Sequence, residues 1–380
     1  MNTLSTINRN NIYTKFIQKD DLNEKEIPTR RDIELNTVKY TGRREGGIFM
    51  RQDDYMFTYD YNRFYDADFF YTLYTPDETS SNKPDKKQLT CVLYVPGFGR
   101  NFTIMNLNNV YRQNGMDLVG IDLPNYGYSY RQKKENVNYN TIDTSDNTDN
   151  YFLALNIAIK RLKSPLHGYT KVILMGNGTG GLICANYVTI APTSYVRPDF
   201  LVLESPSIEF KEGGSPIPNS EFPIPANIMN QISPVLYSLM PDLIIYRDGD
   251  DPDWLRKKPF YIEQMNRSKT LPVENYGYVD YYYNPLSNRP VYVSYIQYVS
   301  KLCNNIASIT TKTKIPILLL CISGPDTHIN IPVVKQRVQN ITETYDVFTS
   351  DSTQDEIMLD TWANITACIG QIKAIIDSRR

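Results

Sequence analysis

The strongest constraint on this chain is a regular alternation of short, β-rich apolar runs with longer segments whose apolar residues recur at helical spacing. LTCVLYV (89–95) ends in a glycine turn, PGFG, and MDLVGIDLP (116–124) ends in the loop NYGYS. TDNYFLALNIAIKRLK (148–163) carries apolar positions at helical spacing, with the polar cluster Asp143 to Asp149 supplying N-caps. KVILMG, the helix-like TGGLICANYV and the strand-like PDFLVLESP continue the series. Crossovers of this length predict a mostly parallel central sheet covered by helices on both faces.

Around this series the pattern changes. Residues 1–35 are polar and charge-rich and are expected to form an N-terminal arm. From Thr37 the chain becomes aromatic and alternating, and FMRQDDYMFTYDYNRF and FFYTLYTP predict antiparallel edge strands. Between Ile208 and Ser308 the alternation stops, with Pro, Tyr and Asn abundant and one amphipathic helix expected in RPVYVSYIQYVSKLCNNI. A hundred irregular residues inside a compact domain indicate a second layer or lid. PILLLCIS then returns as a strand, VVKQRVQNI as a helix and IMLDTWANITACIGQIKAII as the last helix. The expected organisation is a core of 36–207 and 309–380 with a cap or lid at 208–308.

Composition narrows the function classes. With 380 residues, a formal net charge of -2 and 22% charged residues, nothing favours nucleic acid or an anionic membrane as partner. The longest apolar runs, such as IPILLLCI, fall short of the roughly 20 residues that span a bilayer, and the polar N-terminus lacks a secretory core. Five scattered cysteines without C-x-x-C spacing point to a reducing, cytoplasmic setting and no disulfide framework. No phosphate loop, zinc spacing or nucleotide fingerprint is present, so neither cofactor nor metal is expected. Richness in Asn, Tyr, Ile and Lys is compatible with an AT-rich genome such as a virus or parasite, and with a place in a virion, though no motif supports that.

Four motifs stand in order: YVPGFG (94–99), GIDLPNYGYS (120–129), GNGTGG (176–181) and LESP (203–206), followed by CISGPDTH (321–328) and TQDEIMLD (353–360). Together with the element order, they make the chain resemble the α/β-hydrolase fold. More narrowly it resembles the serine-aminopeptidase-like and monoacylglycerol-lipase (lysophospholipase-like) branch, over roughly residues 69–376. The resemblance implies a lid inserted after the sixth strand and a Ser-His-Asp triad.

Residue by residue, the triad does not carry over. The family's nucleophile falls on Gly178, which has no side chain, and its histidine on Asp355. The histidine that precedes the nucleophile is replaced by Asn177, and the one opening the oxyanion loop by Pro96. The acid survives as Asp326. The backbone N–H groups of Phe98 and Thr179 are expected to persist as a vestigial oxyanion site, which favours a carboxylate or phosphate. A triad acts as a unit, so loss of serine or histidine alone costs about a factor of 10⁶ in kcat in a subtilisin-type enzyme. The sequence therefore predicts an inactive pseudoenzyme that binds a protein partner or a small acyl or anionic ligand, with self-association open. The alternative is an active esterase, lipase or peptidase with a displaced catalytic set, for which His328, two residues past Asp326, is the only rim histidine.

Other signals admit plainer readings. Asp251 as N-cap with Pro252 at N1 accounts for RDGDDPDW better than a calcium loop. The tyrosines of YGYVDYYYN (276–284) either pack a lid or form a partner surface. Cys184 reads as core, Ser129 as a turn residue and His167 as a surface loop residue at the opposite edge.

Overall fold

The computed structural model describes residues 47–49, 56–66, 69–76, 88–97, 102, 107–124, 150–165, 167–211, 226–240, 243–247, 290–322, 329–350, 357–359 and 362–379. The elements are, in chain order, β1 (Gly47–Phe49), β2 (Met56–Asp66), β3 (Phe69–Pro76), β4 (Thr90–Val95), α1 (Asn108–Gln113), β5 (Asp117–Asp122), α2 (Asn150–Lys163), β6 (Lys171–Asn177), α3 (Gly178–Ile190) and β7 (Phe200–Glu204). There follow α4 (Ala226–Leu239), β8 (Ile244–Arg247), β9 (Pro290–Tyr292), α5 (Val293–Ser308), β10 (Ile317–Ile322), α6 (Ile331–Ile341), β11 (Tyr345–Ser350), a single 3₁₀ turn (Ile357–Leu359) and α7 (Trp362–Ser378).

One sheet runs in the order β1-β2-β3-β5-β4-β6-β7-β10-β11. Its first three strands pair antiparallel, as does β3 with β5, and the six strands from β5 to β11 are parallel. Side chains of the parallel strands alternate between two apolar layers, as a strand of period 2 requires. Leu93, Leu174, Leu203 and Leu319 face α2, α3, α5 and α6, whereas Val92, Ile173, Val202 and Leu318 face α1 and α7. Burial on both faces is why β4, β5, β6, β7 and β10 are near-continuous apolar runs.

The expected α/β-hydrolase fold is therefore present, with its antiparallel start and parallel centre. Several elements were not anticipated, among them β8 and β9, which pair as a separate two-stranded sheet. Helix α1 is too short to show a periodicity. Strand β11 (YDVFTS) is polar because it is the outermost described strand on its side of the sheet and only part of it is covered. Helix α4 has no charged residue to mark a solvent face. Helix α5 appears where the amphipathic pattern put it, and it buries Tyr295, Ile296, Val299, Leu302 and Ile306 in the same layer as α2 and α3. The N-terminal arm, the NYGYS loop, Ser129, the Asp143–Asp149 cluster, RDGDDPDW and the tyrosine cluster lie outside the described residues or nearly so.

Candidate functional site

Strand order places the site. From β4 the chain moves one way to β5, then returns to the other side of β4 for β6, so the carboxyl ends of β4 and β6 flank the point where the winding reverses. Ligands of open α/β sheets bind in the crevice at such a point. There β6 turns directly into α3 at Gly178, whose φ is +50°. That is left-handed backbone, which costs an L-residue roughly 1–2 kcal/mol and glycine nothing.

The corner is tight on one side and open on the other. A Cβ on Gly180 would lie 2.4 Å from the Pro96 carbonyl oxygen and 2.5 Å from that of Val95, so the first turn of α3 presses on the end of β4 as only glycine permits. A Cβ on Gly178 would meet nothing closer than the Ser207 Oγ at 3.7 Å and the Gly97 Cα at 3.9 Å. The corner thus lacks a side chain but has room for one.

Neighbouring groups secure it. The Ser207 N–H donates to the Gly178 carbonyl (2.9 Å), and the Cys303 thiol of α5 donates to the Ser207 carbonyl (3.4 Å). Thr179 is buried, and its hydroxyl accepts from the Tyr295 hydroxyl of α5 at 3.4 Å. Asn177, also buried, lies against Gly97. Ser205, just past β7, is a non-glycine residue at φ +40°, and its buried hydroxyl has no hydrogen-bond partner among the described residues. Strain of this kind gathers at functional sites.

Behind the corner, two carboxylates hold backbone. Glu204, fully buried and in register with Asn177, accepts from the Met358 N–H at 2.9 Å, joining the end of β7 to the 3₁₀ turn. Burial foremost, with Glu204 second, raises the Tyr111 phenol well above its usual value, and its hydroxyl donates to the sulfurs of Met175 and Met358. Asp122, also fully buried, accepts from the Phe102 N–H at 2.8 Å, which ties the chain after PGFG to the end of β5. This gives the G-x-D motif at 120–122 a physical role.

Of the site residues expected from sequence, the structure brings Gly178 and Thr179 together at this corner. Phe98, Asp326, Asp355 and His328 lie outside the described residues. His167 sits before β6, at the opposite edge of the sheet, as expected. Cys184 is core. Sequence reasoning quoted LESP without assigning Glu204 or Ser205, and it passed over Ser207 and Tyr295. The motif itself was the available signal for the first two. Nothing in sequence marks a tyrosine 116 residues away from Thr179 as its partner. Among the described residues, no group of three His, Cys, Asp or Glu is placed to hold a metal ion, and no helix is long and apolar enough to cross a membrane.

Strand order, covered parallel sheet and the strand–glycine–helix corner at the winding reversal define the α/β-hydrolase fold. Residues 90–348 match the model of the family described as serine aminopeptidase, S33, well over half of the chain, and the protein belongs to that family. Its fold is shared with a soluble variant of monoglyceride lipase from Saccharomyces cerevisiae, solved with a substrate analogue. The TM-score is 0.58 at 13% identity, with 87% of this chain and 99% of that one covered. A monoacylglycerol lipase from Paleococcus ferrophilus (TM-score 0.48, 17% identity, 75% of this chain and 94% of that one) and a peroxisomal α/β-hydrolase from S. cerevisiae (TM-score 0.48, 13% identity, 90% and 88%) are also similar. A comparison with curated protein sequences gives no match.

Proposed function

We propose that this protein is a catalytically inactive member of its family that works as a binding or structural module. The observation that carries this reading is Gly178: the position that turns β6 into α3 has the backbone of a nucleophile corner (φ +50°) and no atom able to attack. Serine hydrolysis requires a hydroxyl at that corner, a base within hydrogen-bond reach and a third group that orients the base. With the first absent, Asp355 at the family's histidine position has no proton to accept. The acid Asp326 then orients nothing.

What remains is a place to bind. The Thr179 N–H in the first turn of α3, paired on this reading with that of Phe98, and the room for a side chain at Gly178 suit the carboxylate or phosphate of a small acyl or anionic ligand. Of the expected cap 208–308, α5 packs in the core layer with α2 and α3, so on this reading the cap is confined to residues before α5. A fluorophosphonate probe tests the reading. The native protein is expected to remain unlabelled, and selective labelling at any serine overturns it. Gly178→Ser combined with Asp355→His tests the positional assignment, with gain of short-chain ester hydrolysis as the expected outcome.

One observation favours the second reading, an active hydrolase with a displaced nucleophile. The Ser207 Oγ lies 3.7 Å from where a Cβ on residue 178 would stand, and Ser207 is only half-buried. On that reading the probe labels Ser207, and Ser207→Ala abolishes the labelling.

A further inference from the structure

Buried polar groups nearly always find a hydrogen-bond partner, so one that does not is a place to look for a ligand. Asn177 is such a group. It stands at the N-cap of α3, a 13-residue helix, where an asparagine side chain ordinarily accepts from a first-turn N–H. Here it makes no cap hydrogen bond. The carboxamide reaches across to Gly97 instead, and its Oδ1 lies 2.7 Å from the place a Cβ would take there. It has no hydrogen bond among the described residues, although Asn177 is only 7% exposed. Gly97 also walls the room at Gly178, with its Cα 3.9 Å from a Cβ at that position, and the half-buried Ser207 Oγ borders the same room at 3.7 Å. At the same edge of the sheet, Glu204, in register with Asn177, leads into Ser205, whose buried hydroxyl is likewise without a partner among the described residues. The start of α3, an unused carboxamide and a hydroxyl therefore meet at one space.

The chemistry of these groups selects the ligand. The first-turn N–H groups of α3 are donors without a side-chain cap, and they carry the positive end of the helix dipole. With its oxygen against Gly97, the Asn177 carboxamide leaves the Nδ2 protons uncommitted, and the Ser207 hydroxyl is a further donor. A space bordered mainly by donors suits a group that only accepts. Asn177, Thr179, Ser205 and Ser207 are all neutral, so the charge they meet best is a single one. A carboxylate has that charge and no proton to give, whereas an amide brings N–H groups that face other donors. A phosphate dianion calls for a cation that these four side chains do not supply. On the assignment of Asp326 and Asp355 to this rim, a dianion also meets like charge.

We infer that the space at Gly178 is a carboxylate site in which Asn177 and Ser207 donate to the ligand beside the start of α3. The inference rests on the reading of an inactive binding module and narrows its ligand from anions in general to carboxylates. Isothermal titration calorimetry of the full chain in chloride-free buffer tests it, with hexanoate, hexanamide and hexyl phosphate as probes that differ only in the head group. Hexanoate is expected to bind with a Kd of about 1 mM or tighter, and roughly tenfold or more tighter than either of the others. Asn177→Leu, similar in volume and without donors, is expected to weaken hexanoate roughly tenfold or more, and Ser207→Ala roughly threefold or more. The melting temperature of ligand-free Asn177→Leu is expected to stay level or rise, because an unpartnered polar group leaves the interior, whereas a merely structural role for Asn177 lowers it. Should Asn177→Leu fail to fold, Ser207→Ala carries the test. No binding of hexanoate, equal binding of hexanamide or hexyl phosphate, full displacement by 100 mM chloride, which would make the space a general anion site, or affinity indifferent to the variants overturns the inference. The two readings fail separately. Fluorophosphonate labelling with the hexanoate preference intact overturns inactivity alone, and an unlabelled protein that ignores hexanoate overturns the carboxylate site alone.

Discussion

At the scale of single residues, the glycines around residue 178 differ in what they permit. Gly178 is glycine for its backbone, since a Cβ there meets only ordinary contacts at 3.7 and 3.9 Å. Gly180 is glycine for space, since a Cβ there runs into two carbonyl oxygens of the β4 end. Gly178→Ala is therefore expected to cost about 1–2 kcal/mol, the price of left-handed backbone alone. Gly180→Ala is expected to cost about 3 kcal/mol or more, because rigid backbone must move. Urea unfolding of the two variants separates the effects, and equal losses would contradict the geometry. Both glycines were visible in GNGTGG, but a list of glycines cannot say which is held by dihedral angle and which by contact. Ser205 makes the opposite point: it sits at φ +40° with a side chain that nothing in LESP marks as strained.

Among the elements, the joint between α3 and α5 decides how the corner is braced. Asn186 is fully buried on α3, and its Nδ2 donates to the Leu182 carbonyl in its own helix and to the Leu302 carbonyl across in α5. Asn186→Ala removes this tie and leaves a cavity, with an expected loss of about 2 kcal/mol. Tyr295→Phe removes the long hydrogen bond to Thr179 and is expected to cost less than about 1 kcal/mol. Chemical denaturation of both variants checks the order, and a larger loss for Tyr295→Phe would make the Thr179 contact the principal brace. The helical periodicity of α5 was legible before any coordinates, because six apolar positions recur at helical spacing. Its partner was not, since periodicity shows that a face is buried without showing against what.

For the whole molecule, burial of neutral acids shapes the response to pH. The Cys303 thiol is pushed up to about 12, first by burial and then by Glu209. Burial likewise raises Cys91, Cys184 and the phenols of Tyr169 and Tyr187. In each case the folded state keeps a proton that the unfolded chain releases near pH 9 or 10, so the folded state binds more protons across that window. The contribution of these groups is fully present below about pH 8 and is lost progressively as pH rises toward 12. Urea midpoints in reducing buffer are expected to fall from pH 8 to pH 10.5, and constant midpoints would contradict the burial of these groups. At neutral pH the same protonation keeps Cys303 slow toward iodoacetamide in the folded protein, with all five thiols reacting once it is unfolded.

The chain's own order of residues determined the layered α/β architecture, the turn at GNGTGG and the absence of a hydroxyl at residue 178, because periodicity, glycine placement and side-chain identity are local properties. Tertiary structure decided the rest: that Gly97 and Ser207 flank the space over Gly178, and that Glu204 holds the Met358 turn. Each depends on which distant segments come together, and pairs such as Glu204 and Met358, 154 positions apart, leave no periodic trace in either stretch of sequence.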